Sequence, residues 1–362
     1  MIKAMDRWLP GYLARRKVDP IRGRRTHVLL ALCDHFEPWH QTSGCTDEAL
    51  QRLARWQNAY PQVQSAARDA DGRPPVHTFF FPVEQYESSV VSELAALCAA
   101  GAGEAEIHLH HDADTSKTLR EKLVLGRDRL ASHGLLSAGP GGRPAYGFIH
   151  GNWALCNSHP QGRACGVNDE LSILRDTGCY ADFTMPCAPD PCQSQKVNSI
   201  YYARDTGTPR AHDHGEPARA SLEPDADSLL LVQGPLGLNW RRRKCGLLPR
   251  LENADLTGAN PPTLDRFRLW VRANIHVQGH PDWLFIKLHT HGCKPSNMDM
   301  LLGGVLQQFY QSLAEHCAQQ DGMSLHFVTA REMTNIVHAA EAGERGSPGE
   351  YRDYRYKLRT SR

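Results

Sequence analysis

The chain alternates between short, nearly unbroken apolar runs and longer stretches in which apolar residues recur every three or four positions. Thr26–Cys33, Val76–Phe81 and the stretch from Glu104 to His110 belong to the first kind. Runs of this sort are what strands buried on both faces require. Between them, residues 46–60 carry Leu50, Leu53, Ala54 and Trp56 at helical spacing. The stretch Tyr86–Ala100 does the same with Val90, Leu94, Leu97 and Cys98, and Gly101 supplies its stop. The alternation continues, predicting strands at 145–150, 180–185, 228–233, 283–289 and 325–329. Helices are predicted at 118–133, 168–177, 264–274, 298–319 and 330–341. A helix between successive strands implies parallel pairing. Seven or eight such units predict an α/β fold, a distorted seven-stranded, TIM-like (β/α) barrel, with an open doubly wound sheet as the alternative.

This pattern divides the chain. Residues 1–22 form a helical extension, with Trp8, Leu9 and Leu13 as anchors for packing on the domain or touching a membrane surface. The barrel domain spans 23–342 and contains a Pro-, Gly-, Asp- and His-rich loop insertion at about 186–227. Residues 343–362 read as a surface tail.

Composition narrows the classes. With 41% hydrophobic and 22% charged residues the chain has enough apolar material for a large core. Basic and acidic residues number 41 and 40, which gives no reason to expect nucleic acid as a partner. The Arg241–Lys244 run and the Arg22–Arg25 region read as local surface patches. No segment approaches the ~18 unbroken apolar residues of a spanning helix. The N-terminus lacks a signal-peptide core, so a cytoplasmic location is expected. Eleven cysteines, an odd number without Cys-x-x-Cys pairs, suit ordinary thiols in a reducing compartment. Neither a Walker loop nor a dinucleotide fingerprint is present.

Candidate chemistry lies just past the predicted strands, where α/β folds build their sites. Asp34 and His35 follow the first strand, and His108, His110, His111, Asp112 and Asp114 end the third. Asp182 lies on the fifth, and His289 and His291 close the strand at 283–289. Imidazole and carboxylate concentrated in this way point to a divalent metal, zinc foremost. Phe36, Trp39 and Trp153 stand beside these positions as stacking surfaces, and Asn152, Asn198 and Ser199 as polar contacts.

The series resembles the polysaccharide deacetylase (NodB-homology) family over roughly residues 26–330. Leu32-Cys33-Asp34-His35 resembles the early Asp-Asp motif, and Glu106-Ile107-His108-Leu109-His110, with Asp114 four residues on, resembles its Glu-Ile-x-x-His-x-x-x-His. Lys287-Leu288-His289 resembles the late Leu-x-His, and Val76–Phe81 the strand between the first two motifs. The resemblance implies Asp34 as general base, His289 or His291 as general acid, and His35, His108, His110 and Asp114 as candidate metal ligands. It further implies N-deacetylation of an acetamido sugar or a sugar-containing intermediate. Three departures stand out. Asp-Asp has become Asp-His, the second histidine of His-x-x-x-His has become Asp114, and Arg-x-x-Pro-Tyr is replaced by nothing closer than Thr184-Met185-Pro186. The alternatives are therefore a metal-dependent glycoside hydrolase, in which Asp34 and Asp182 supply the paired carboxylates, and a non-catalytic carbohydrate-binding or assembly protein on the same barrel.

Overall fold

The strand Thr26–His35 (β1) organises the molecule because it is buried on both faces. One set of alternate side chains, Val28, Leu30, Leu32 and Phe36, packs with Trp56, Phe79 and the helical layer. The other set, Leu29, Ala31 and Cys33, packs with Phe80, Ile149 and Phe285 on the inner face. The structure, a computed structural model, describes residues 4–14 and 25–358. Arg22 to Arg24 of the expected basic patch lie outside them.

Seven further strands run parallel to β1 or to its neighbours: β2 (His77–Pro82), β3 (Gly103–Leu109), β4 (Pro144–His150), β5 (Cys179–Asp182), β6 (Leu229–Val232), β7 (Trp283–Thr290) and β8 (Met323–Phe327). Their lateral order follows the chain from β1 to β6, and β7 returns to flank β1 on the other side. That return is what a barrel has and a doubly wound sheet lacks. β8 shares one edge of β1 with β2: it pairs with Thr26–Leu30, and β2 takes over at Cys33. Among the described residues no ladder joins β6 to β7, so the hydrogen-bonded cylinder is open there. Side chains and loops bridge the gap, with Lys287 Nζ donating to the Met185 carbonyl at 3.1 Å. The result is a mixed α/β fold with a central sheet and flanking helices.

The helices Thr46–Ser65 (α2), Ser88–Ala99 (α3), Ser116–Ser132 (α4) and Glu170–Asp176 (α5) pack on the outer face. The last long helix, Ala330–Glu341, is buried at every position and packs on the inner face. A Thr329–Glu332 capping box starts it.

Several expectations change. The helix expected over 298–319 is two, Pro295–Leu302 and Val305–Ala318. They part at Gly303-Gly304, where Gly304 takes a φ of 99° that suits glycine alone. The insertion adds an antiparallel strand, Ile200–Ala203, to the edge of β6. The basic run lies in a hairpin, Gly237–Lys244 with Leu248–Glu252, that apolar periodicity did not reveal. A fully buried Arg266 ties that hairpin down, gripping Glu252 through Nε at 2.9 Å and Nη2 at 2.8 Å. The N-terminal helix Met5–Ala14 packs on the domain: Trp8 is buried beside Ala188 and Leu236, whereas Leu13 stays exposed. The tail also turns inward, since Arg352 is buried and reaches Asp69 at 3.1 Å and Asp71 at 2.8 Å. No helix of the described residues is long and apolar enough to cross a membrane.

Candidate metal centre at the strand ends

Strand parity decides which side chains meet. On β3, Ile107 and Leu109 join the helical layer, leaving His108 and His110 on the inner face. On β1 the odd positions face inward, and the chain remains extended past the strand, with Phe36 N–H donating to the Phe80 carbonyl at 2.9 Å. His35 and Glu37 therefore share a face, two residues apart. β7 delivers His289 on the same parity as Phe285.

Glu37 is the hub of this cluster. Its Oε1 lies 3.0 Å from His110 Nε2 and 3.6 Å from His108 Nε2. Its Oε2 lies 3.0 Å from His291 Nδ1. Burial opposes ionisation of this carboxyl, but the three histidines outweigh it and hold Glu37 well below the usual carboxylate range. His110 is flanked on its other side by Glu84, Nδ1 to Oε1 at 2.7 Å. Burial works against the imidazolium there, yet the two carboxylates raise its pKa to about 9.

His35 completes the inner wall. It is fully buried and neither ring nitrogen has a hydrogen-bond partner. Its ring centroid is 4.7 Å from that of His108 and 4.5 Å from that of His291. Burial holds His35 and His289 well below the normal histidine range, so both rings are neutral. Trp153, at a positive φ of 62°, covers the cluster with its ring centroid 4.5 Å from His35 and 5.6 Å from His289.

The remaining candidates are placed elsewhere. Asp34 has the opposite parity from His35 and is fully buried, with Oδ2 2.9 Å from His77 Nε2 and Oδ1 accepting the Gly292 N–H at 2.5 Å. It braces the turn after His291 from behind. Asp114 accepts from Lys122 Nζ at 2.8 Å and Thr118 Oγ1 at 2.7 Å, away from Glu37. Asp182 is capped by its neighbour Thr184, whose N–H and hydroxyl both donate to it, at 3.1 and 2.6 Å. Trp39 packs edge-on against Phe81, and Asn152 donates to the His111 carbonyl at 2.9 Å. Asn198 and Ser199 bond to the Leu236 carbonyl and the Gln233 side chain.

Glu37 and Glu84 escaped the sequence reading. The signal for Glu37 was the two-residue step from His35, obscured because Pro38 suggests that the strand has already ended. Glu84 carried no signal, being brought in by the turn after β2.

The residues fit a divalent cation. Glu37, His108 and His110 offer three ligand atoms within 4.8 Å of one another. The Glu84 contact at Nδ1 is the support that metal-ligating histidines receive, and it leaves Nε2 to face the centre. His35 adds a buried imidazole with nothing else to bond. A second group, His111, His150, Cys165 and Glu170, also satisfies the donor geometry and is fully buried. In a third, Asp69, Asp71 and His326, the Arg352 guanidinium already occupies the carboxylates.

Neither a family model nor a curated protein matches this sequence. Among solved structures it is similar to a 4-alpha-glucanotransferase from Thermococcus litoralis, with a TM-score of 0.42 and 9% identity. The match covers 86% of this chain and 40% of that enzyme, so this chain spans well under half its length. Similarity at that level fixes neither fold nor activity. The internal geometry carries the reading.

Proposed function

We propose that this chain is a metal-dependent hydrolase that works at the Glu37–His108–His110 cluster, and that its reaction is N-deacetylation of an acetamido sugar or a sugar-containing intermediate. The observation that carries the reading is the convergence of these side chains, with His35, at the ends of β1 and β3. The likeness of 106–110, 287–289 and 76–81 to deacetylase motifs supports the choice of substrate. Glu37, His108 and His110 would hold the ion, with His35 beside them; zinc suits the nitrogen and oxygen donors. When bound, the ion would supply Lewis-acid polarisation of the acyl oxygen and acidification of water.

The chain's own residues do the rest. Glu84 holds the His110 ring through Nδ1, so that its other nitrogen keeps its aim. His291 is 31% exposed and bonded through Nδ1 to Glu37, which places it to pass a proton to the leaving amine. His289, buried behind Trp153 with Nε2 3.9 Å from Asp255 Oδ1, backs it. Trp153 excludes water from the inner side and offers an indole to a sugar ring. Asp34 acts through the turn it braces, in place of the base role implied by the family pattern.

The test is acetate release from N-acetylated sugars and nucleotide sugars by the zinc-loaded protein. Metal-dependent release, abolished in Glu37→Gln, is expected. Metal binding with glycosidic cleavage and no acetate would move the reaction to glycoside hydrolysis. Metal binding with neither product would leave a carbohydrate-binding protein.

A further inference from the structure

The geometry points to a second, structural metal centre on the opposite face of the same sheet end, built on His111, Cys165 and Glu170, with His150 closing the fourth position. The two centres diverge by parity. His110 follows the inner face of β3, and His111, the next residue, turns outward. There it meets His150 from the end of β4, their ring centroids 4.5 Å apart.

Glu170, at the start of α5, is the centre of this group and is fully buried. Its Oε1 lies 3.2 Å from His111 Nε2 and 3.7 Å from His150 Nε2. Its Oε2 lies 3.4 Å from Cys165 Sγ and accepts the Cys156 N–H at 2.6 Å. No lysine or arginine is among these contacts, although an unpaired carboxylate in an apolar interior costs several kcal/mol. A divalent cation bound by Glu170 and a Cys165 thiolate, with neutral imidazoles, leaves the pocket without net charge. The His150 Nε2 is buried without a hydrogen-bond partner and is directed at Glu170, as a ligand awaiting its ion would be. Behind His111, Asp114 Oδ2 lies 3.1 Å from Nδ1, the carboxylate–histidine arrangement that supports ligating imidazoles.

The weakest ligand is His150. Its Nδ1 receives the Asn152 N–H at 3.2 Å, so ligation through Nε2 needs a proton on Nδ1 and a turn of that amide. A set of two imidazoles, one thiolate and one carboxylate matches the closed, four-coordinate pattern of structural zinc. The Glu37 cluster, in contrast, is partly exposed, with His110 at 31%.

The centre has a task. Residues 151–169 contain little regular structure, only a short turn at Leu155–Asn157, yet they carry Trp153 over the inner cluster. An ion on His111, His150, Cys165 and Glu170 would join β3, β4, this loop and α5 at one point. Loading it fixes the wall of the first site without entering the reaction.

Cobalt(II) alone is the probe, added to full-length protein whose exposed Cys45 and Cys245 have been changed to serine. Two equivalents bound, one with a thiolate-to-cobalt charge-transfer band in the near ultraviolet, is the expected result. The band should persist in His110→Ala, disappear in Cys165→Ser, and coincide with protection of the 151–169 loop from protease. A folded parent that binds cobalt without the band overturns the inference, whether or not Cys165→Ser folds. So does a band that survives Cys165→Ser.

Discussion

Gly151 makes room for the His110 ring, and filling that room should remove the metal while leaving the fold. A Cβ built on Gly151 would lie 2.4 Å from His110 Cδ2, 2.6 Å from Cγ and 2.8 Å from Nε2. Ordinary contact begins at 3.4 Å, so ring or backbone must give by about 1 Å. The backbone is held, because Gly151 N–H donates to the Leu109 carbonyl of β3 at 2.8 Å. The ring must therefore leave its position between Glu37 and Glu84. Metal–ligand distances tolerate only ~0.2 Å, so a displacement of this size takes His110 out of the ligand set. Loss of an orienting contact alone typically costs about 10–100-fold in affinity, and Gly151→Ala should cost at least that. Its effect on stability should fall at the low end of the ~1–3 kcal/mol for overpacking, since the ring is partly exposed and can swing outward. Zinc competition against a chromophoric chelator reads the first quantity, through the binding step that His110→Ala abolishes. Thermal melting in excess chelator reads the second. Unchanged zinc affinity in Gly151→Ala would refute the placement of His110 as a ligand.

Other consequences can be checked separately. Glu84→Gln keeps the shape of the His110 partner but removes its charge, and should weaken the same binding step by about 10-fold or more; an unaltered step would discard the supporting role. Asp182→Asn addresses pH. Burial raises this carboxyl to about 7, above its ordinary 3.8, so the native state holds a proton that the unfolded chain releases between those values. Its stabilising contribution is full below 3.8 and is lost as pH rises to about 7, a loss of at most about 4 kcal/mol. The amide of the variant does not titrate and has no such loss, so its melting temperature should gain on the parent between pH 4 and pH 8; parallel pH profiles would count against it. Arg266→Met leaves Glu252 buried without its fork and should cost about 3–5 kcal/mol in denaturant unfolding. A smaller loss would mean that the hairpin is anchored elsewhere.

The eight parallel strands were legible because each is an apolar run buried on two faces, a pattern no surface segment imitates. The return of β7 beside β1 followed from helices separating the strands. The failure of β6 and β7 to share a ladder was not legible, since closure depends on how far six strands have tilted and not on any one of them. The Gly237–Glu252 hairpin was hidden because its side chains, Trp240 and Arg241 to Lys244 among them, are mostly exposed and polar, held by a remote arginine and not by alternation. In the site, β3 was read with the right histidines and one partner that lies elsewhere. Asp114 follows the spacing of the deacetylase pattern, but the chain turns after His110 and delivers it to His111. Asp34 drew attention as a carboxylate after a strand; parity places its neighbours His35 and Glu37 inside and Asp34 outside.

The central claim is that Glu37, His108 and His110 hold a divalent ion at the inner rim. Anomalous diffraction at the zinc edge, from crystals of the wild-type protein grown with zinc, tests it most directly. The account predicts a peak bonded at roughly 2.0–2.2 Å to Glu37, His108 and His110. Zinc-supplied crystals with no peak there, and with His110 still bridging Glu37 and Glu84, would contradict it.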